Sequence, residues 1–275
     1  MNPLVVTFLN ESYIPIGLNW WAAISSLDLQ AEVLVVTLDV ATREALSEYG
    51  IPVLHRPLMR HQPGDLWIHR IGVLRELLSK GYDVVHSDAD AVWLGDPLPQ
   101  FRSCGTDMVF SQGTVWPYPV HSKHGIVLCC GLFSVRNSNY TRAFFEQVER
   151  EIVVDRDDQT TINRLVDKMI DRWIVHEPYS VGFRDNTFTA SRSPIVGDSV
   201  GRPSVSIVPY HTVPRLICDS QSLDGALVAH PLCGKSIGDK IVTLKRYGLY
   251  QQVKTTRIPG GCSQDGIQHC ERIDP

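Results

Sequence analysis

Two carboxylates one residue apart, Asp88 and Asp90, interrupt an otherwise apolar stretch of the chain. Val84-Val85-His86-Ser87 leads into them and Ala91-Val92-Trp93-Leu94 follows at once. In extended backbone, residues i and i+2 share a face, so both acids aim near one point. Like charges held that close repel unless something positive lies between them. A hard divalent cation with oxygen ligands answers that demand, and Mg²⁺ or Mn²⁺ then attracts phosphates. A solvated turn after an edge strand is the other reading. Spacing alone does not separate the two, but apolar runs on both sides weigh against a surface turn.

The chain before this motif alternates in type. Residues 4–9 read as a strand, 17–27 as a helical stretch, 32–38 as a strand and 41–49 as a helix closed by Gly50-Ile51-Pro52. Residues 65–78 carry Leu66, Trp67, Ile71, Leu74, Leu77 and Leu78 at helical spacing, and Lys80-Gly81 ends that helix. The strand 83–87 follows. Such a rhythm predicts an α/β fold, a mostly parallel sheet with helices on both faces. Ligands of these sheets sit beyond the carboxyl ends of the strands, where Asp88 and Asp90 fall. Beyond Pro97 we expect strands at 107–111, 125–135, 205–208 and 226–229, and helices at 138–152, 158–169 and 237–247. Residues 113–124 read as a loop and 177–203 as a long irregular stretch. One domain over 1–250 and a polar tail over 251–275 is the expected organisation.

With 43% hydrophobic residues in 275, a substantial core is expected. A net charge of -4 gives no bulk attraction for nucleic acid. No run approaches the ~18 consecutive apolar residues of a membrane helix, and no basic flank precedes an apolar N-terminal segment. The expectation is a chain without a membrane anchor in a reducing cytoplasm. The seven cysteines show no repeated metal spacing. Cys129-Cys130 lie in an apolar run and read as buried small hydrophobes, while Cys262 and Cys270 could pair if oxidised.

The run from Gly81 to Pro97, GYDVVHSDADAVWLGDP, resembles the signature of the nucleotide-diphospho-sugar transferases of glycosyltransferase family seventy-seven. That family includes plant cell-wall xylosyl-, galactosyl- and arabinosyltransferases. The resemblance extends over roughly 4–249 through separated motifs: Asn19-Trp20, Asp39, Gly131-Leu132-Phe133, Asp158-Gln159 with Asn163, and a C-terminal element of His230, Gly234, Lys235 and Lys240. It implies a GT-A fold, a single Rossmann-like domain with a mixed, mostly parallel central sheet. It implies a nucleotide-sugar donor, a UDP-sugar above all, a hydroxyl acceptor, and retention of anomeric configuration. Asp88, Asp90 and His230 would hold Mn²⁺ or Mg²⁺. Asp39, Arg70, Gly131, Gly234, Lys235 and Lys240 would bind the donor and its diphosphate, and Asp158 and Gln159 would address the donor sugar. Two departures stand out. Cys129-Cys130 occupy the place of a small polar pair, and His69 or Arg70 stands where the family has a lysine; a guanidinium fork is not an ammonium point charge.

Taken on their own chemistry, these residues leave alternatives open. His230 ends the apolar run Ala226-Leu227-Val228-Ala229, where an imidazole can ligate a metal or serve structure. Gly234 would let backbone approach phosphate, and Lys235 and Lys240 would neutralise leaving-group charge or face solvent, as Lys245 and Arg246 are expected to do. Asp157 and Asp158 open a helix, so capping competes with a catalytic role in which Asp158 steadies an oxocarbenium-like transition state or attacks it. Trp116, Tyr118 and His121 could stack on a sugar or simply pack, whereas Trp20, Trp21, Trp67 and Trp93 read as core. A haloacid-dehalogenase-type phosphatase also follows an apolar strand with Asp-x-Asp, but on its first strand, and here two β-α units precede it. A GT-A module that binds sugar without catalysis is the third reading, favoured by Cys129-Cys130.

Overall fold

In the computed structural model, residues 2–251 are described apart from 61, 200–202, 218–221 and 233–235. The first half alternates as expected: β1 (Leu4–Leu9), α1 (Ile14–Ser25), β2 (Glu32–Thr37), α2 (Val40–Ser47), β3 (Val53–His55), α3 (Asp65–Ser79) and β4 (Val84–Ser87). These strands pair in parallel in the order β3-β2-β1-β4, so the order reverses between β1 and β4. Alternation sorts their side chains into two cores. Val6, Leu34, Val36 and Val84 pack on one face and Val5, Val35 and Val85 on the other. Burial on both faces is why these strands read as unbroken apolar runs.

The second half comprises β5 (Val92–Trp93), α4 (Leu98–Ser103), β6 (Met108–Gln112), α5 (Tyr118–His124), β7 (Leu128–Val135), α6 (Asn139–Asp155), α7 (Asp158–Met169), β8 (Arg172–Ile174), β9 (Pro178–Phe183), β10 (Asn186–Ser191), β11 (Ile195–Asp198), β12 (Val205–Ile207), β13 (Arg215–Leu216), β14 (Val228–Pro231) and α8 (Ile237–Arg246). The main sheet runs β3-β2-β1-β4-β7-β6-β12-β11-β8. Only β7 and β11 oppose the common direction, which makes it a mixed, mostly parallel sheet. β9 and β10 form a separate hairpin, and β13-β14-β5 a small second sheet. Among the described residues no helix is long and apolar enough to cross a membrane.

Two expectations need correction. The 113–124 loop contains α5, a single short helix with Pro119 in its first turn. The 177–203 stretch contains β9, β10 and β11. Tyr179, Val181 and Phe183 do alternate, and they pack with buried Phe188 and Tyr210, but serines, glycine and arginines around them mask the period. β3 is three residues long, too short for any periodicity to register.

The carboxyl end of β4 is pinned by its last residue. The indole Nε1 groups of Trp20 and Trp93 each donate to Ser87 Oγ at 3.1 Å, and all three residues are buried. Ser87 thereby ties α1 and β5 to the strand that carries the acidic motif. Ser87→Ala strands two buried indole N–H groups, so we expect a loss of about 2–4 kcal/mol in urea unfolding. Loss of under 0.5 kcal/mol would mean the two indoles find other partners.

Candidate active site

The site is assembled by backbone pairing around β4. The β4–β7 ladder continues one step past Ser87↔Leu132, with Asp88 N donating to Gly131 O at 2.6 Å. The chain then turns, Ala91 N donating to Asp88 O at 3.0 Å, and enters β5. β5 pairs antiparallel with β14 through Val228↔Trp93 and Ala229↔Val92, which brings His230 level with the end of the acidic motif. β14 pairs in parallel with β13 through Arg215↔His230. Ser236 caps α8 by accepting from Asp239 N at 3.1 Å, and α8 delivers Lys240.

Carboxylate oxygens of Asp88 and Asp90 and a ring nitrogen of His230 lie within 4.8 Å of one another. His230 Nε2 is 3.5 Å from Asp90 Oδ1 and 3.8 Å from Asp88 Oδ2, longer than a good hydrogen bond. The opposite oxygens are engaged elsewhere: Asp88 Oδ1 accepts from Arg70 at 2.8 Å and Asp90 Oδ2 from Lys240. The inward-facing atoms therefore form a set of two hard oxygens and one imidazole, a donor set that fits a divalent cation. Gly131 makes room for it. A Cβ there would sit 2.6 Å from Asp88 Oδ2 and collide with the His230 ring.

These contacts set the charges. Burial would raise the Asp90 carboxyl, but His230 and Lys240 pull it down to about 2. Burial opposes ionisation of Asp88 too, and Arg70 and His86 hold it well below the usual carboxylate range. His86, buried beside Arg70, is pushed down to about 4 and is neutral. Burial would also lower Lys240, yet Asp90 raises it and keeps it cationic.

The opposite wall comes from α7 and α3. Arg70 on α3 donates through Nε (2.8 Å) and Nη2 to Asp158 Oδ2 while Nη1 holds Asp88, so one guanidinium bridges the acidic motif and α7. Asp157, not Asp158, is the N-cap of α7, accepting from Thr160 N at 3.1 Å. Asp158 is left free of capping and turned into the cavity. Gln159 Oε1 accepts from Cys130 N at 3.2 Å, and its Nε2 donates to Trp116 O at 2.7 Å. The cavity volume is about 570 Å³, within the usual range for small-molecule sites.

The profile of the nucleotide-diphospho-sugar transferase family matches residues 28–231. The chain belongs to that family. Among curated relatives, arabinosyltransferase XEG113 of Arabidopsis thaliana is 25% identical over 187 residues, 62% of this chain and 29% of that protein. The UDP-D-xylose:L-fucose α-1,3-D-xylosyltransferase MGP4 of the same plant is 28% identical over 134 residues, 45% and 37% of the two chains. The chain thus spans about a third of the length of these relatives. In fold it is similar to the glycosyltransferase GlyE of Streptococcus pneumoniae, with a TM-score of 0.55 at 10% identity over 92% of this chain and 61% of that one. It is also similar to the galactosyltransferase LgtC, solved with donor and acceptor sugar analogs, with a TM-score of 0.54 at 12% identity over 92% and 98% of the two chains. The architecture is GT-A. A phosphatase of the haloacid-dehalogenase type is set aside, since family and fold both differ and the acidic motif follows the fourth strand.

Within this transferase fold, Asp88, Asp90, Gly131, Asp158, Gln159, His230, Lys240 and Arg70 all line one cavity. Asp39 does not line it. Its carboxylate caps α2, accepting from Thr42 N at 2.7 Å, and takes Glu11 N at 2.9 Å, so it shapes the loop after β1. Of the two candidates for the family lysine, Arg70 enters the site and His69 turns away to Arg56 O at 3.0 Å. Gly234, Lys235, Cys262 and Cys270 lie outside the described residues. Lys245 and Arg246 are exposed, as expected. Trp67 is half-buried on the cavity wall and not sealed in the core.

Sequence reasoning missed Arg215. Its buried Nη1 donates to Cys129 Sγ at 3.2 Å and contacts His230 Nδ1, while Nη2 donates to Pro231 O at 3.3 Å. A lone charge inside the apolar run Val213-Pro214-Arg215-Leu216-Ile217 was the available signal.

Burial pushes the Asp158 carboxyl up to about 6, with Arg70 opposing the rise. An acid raised above its unfolded value favours folding when protonated, and that contribution is lost as pH rises through about 6. The stability of the wild type minus that of Asp158→Asn should therefore grow on the order of 2–3 kcal/mol between pH 7 and pH 4. Denaturant unfolding of the pair across that window checks it, and a flat difference would place Asp158 at its ordinary value.

Proposed function

We propose that the chain is a retaining, metal-dependent glycosyltransferase that moves a sugar from a nucleotide-diphosphate sugar, a UDP-sugar first, to a hydroxyl of a glycan acceptor. The observation that carries this reading is the convergence of Asp88, Asp90 and His230 beyond the end of β4, in a cavity shared with Lys240, Arg70 and Asp158. The relatives, an arabinosyltransferase and UDP-D-xylose-dependent xylosyltransferases, support a pentose on the donor.

Asp88, Asp90 and His230 would hold Mn²⁺ or Mg²⁺, which when bound supplies Lewis-acid stabilisation to the departing nucleoside diphosphate. Lys240 adds a mobile cation to the same end of the cavity and can move from Asp90 to a phosphate oxygen. Arg215, fixed behind His230, keeps a guanidinium at that end, where Asp88, Asp90 and Cys129 balance it until a cation binds. Asp158 and Gln159 face the donor sugar from the other wall. Both contacts from Arg70 fall on Asp158 Oδ2, which orients Oδ1 without using it. A carboxylate so placed can steady positive charge on the anomeric carbon, and Gln159 supplies a fixed amide beside it. Asp157 is committed to its cap and to Trp116, so Asp158 is the carboxylate this wall presents to the donor sugar.

UDP with Mn²⁺ should raise Tm, and EDTA should abolish the gain, because a ligand that binds only the folded state stabilises it by mass action. Asp90→Asn should lose most of that gain and lower UDP-sugar hydrolysis by roughly 10²-fold or more, since it removes a charged oxygen from the donor set. Lys245→Ala, on the exposed face, should match the wild type. An α-configured donor should give an α product in the proton NMR spectrum of a fresh reaction. A folded Asp90→Asn variant with full metal-dependent stabilisation and turnover would remove this reading.

A further inference from the structure

The side chain of Trp116 is placed unusually for a tryptophan. It lines the cavity, yet it is 56% exposed. It is not loose. Its indole Nε1 donates to Asp157 Oδ2 at 3.1 Å, and its backbone oxygen accepts from Gln159 Nε2 at 2.7 Å. The preceding loop is anchored by Gly113 N to Val127 O at 2.9 Å, and the following one by His121 N to Pro117 O at 3.1 Å. Both groups that hold Trp116 come from the first turn of α7, the turn that presents Asp158 to the cavity.

A rigid aromatic face with its only polar atom already satisfied has apolar chemistry left to offer. Its π-face carries partial negative charge and attracts C–H groups that carry partial positive charge. A pyranose ring presents such C–H groups on one face and hydroxyls around its edge. A rigid platform also costs little conformational entropy when it is occupied. The end of the cavity that holds the Asp88-Asp90-His230 set with Lys240 and Arg215 is where the proposed donor's diphosphate would lie, and Gln159 spans the short distance from the wall at Cys130 to Trp116. Trp116 stands at the solvent side of that wall.

Resting on the transferase reading above, we propose that Trp116 is the stacking platform for the acceptor, and that the acceptor is a sugar ring and not a protein side chain or an unglycosylated lipid. Asp157 and Gln159 act as positioning residues for the indole, which couples acceptor capture to the helix that carries Asp158.

Two arms test this. In the first, methyl glycosides of xylose, arabinose, galactose, glucose and fucose are titrated into ¹⁵N-labelled chain, with the Trp116 indole signal assigned by its loss in Trp116→Phe. At least one glycoside should shift that signal selectively among the six tryptophans. No shift with any glycoside overturns the proposal, whether or not the chain transfers sugar. In the second arm, UDP-sugar turnover is split into transfer to the glycoside that shifts the indole and hydrolysis by water. Trp116→Ala should lower the transfer-to-hydrolysis ratio roughly tenfold through acceptor KM, and Trp116→Phe should restore most of it. Tyr140→Ala, another exposed aromatic at the far end of α6, should leave the ratio alone. If hydrolysis and transfer fall together in Trp116→Ala, the indole serves the donor and the proposal fails. If the wild type turns over no nucleotide sugar at all, the transferase reading falls, and the indole titration still decides the stacking surface.

Discussion

Three carboxylates, Asp88, Asp90 and Asp158, face one cavity, and their mutual repulsion is the constraint the rest of the site answers. Two cations from other elements meet all three. Arg70 on α3 spans Asp88 and Asp158, and Lys240 on α8 reaches Asp90. Buried ion pairs of this kind contribute little net stability, because desolvation consumes most of the Coulomb gain. Their presence is better explained by position. Arg70 fixes the separation between the acidic motif and α7, the two walls between which a donor would lie. Its fork suits that task in a way a lysine would not, since one ammonium cannot hold two carboxylates along two set directions.

Backbone pairing supplies the remaining precision. Asp88, Gly131, His230 and Arg215 are neighbours because successive short ladders, β4–β7, β5–β14 and β13–β14, place them there. A one-residue slip in β5–β14 would turn His230 away from Asp90. Ser87 guards the first of these ladders by fastening Trp20 and Trp93 at the strand end, and Gly131 leaves the cradle open where any side chain would fill it.

The parts legible in sequence are those with a long or rigid signal. Apolar runs in β1, β2 and β4 and the helical spacing of α3 gave the parallel half of the sheet, and strand-end logic put Asp88 and Asp90 at its functional edge. His230 and Lys240 were found because motif spacing linked them to a family. Arg215 escaped because β13 is two residues long and pairs with a strand fifteen positions away, so neither period nor spacing marks it. Asp39 shows the opposite case. An acid after a strand suits donor binding and helix capping equally, and its contacts with Thr42 and Glu11 give it the capping role. Asp157 and Asp158 posed the same ambiguity side by side, and the structure divides the roles: the first caps, the second faces the cavity.

The Cys129-Cys130 pair, where the family pattern has small polar residues, fits the same electrostatic logic. Cys130 meets Gln159 through its backbone N–H, a contact any residue can supply, so its side chain is free to be apolar. Burial duly pushes its thiol well above the ordinary value. Cys129 points the other way, to Arg215. Burial would raise this thiol too, but the guanidinium overrides it and pulls the group down to about 6. A hydroxyl in that place would accept a hydrogen bond from Arg215 but could not take up negative charge near neutral pH. A thiolate does both, and it also offers an acceptor 3.8 Å from His230 Nδ1. The pair that weakens the sequence pattern is thus compatible with a working site: one cysteine drops out of the chemistry, and the other balances the arginine that sequence alone did not reveal.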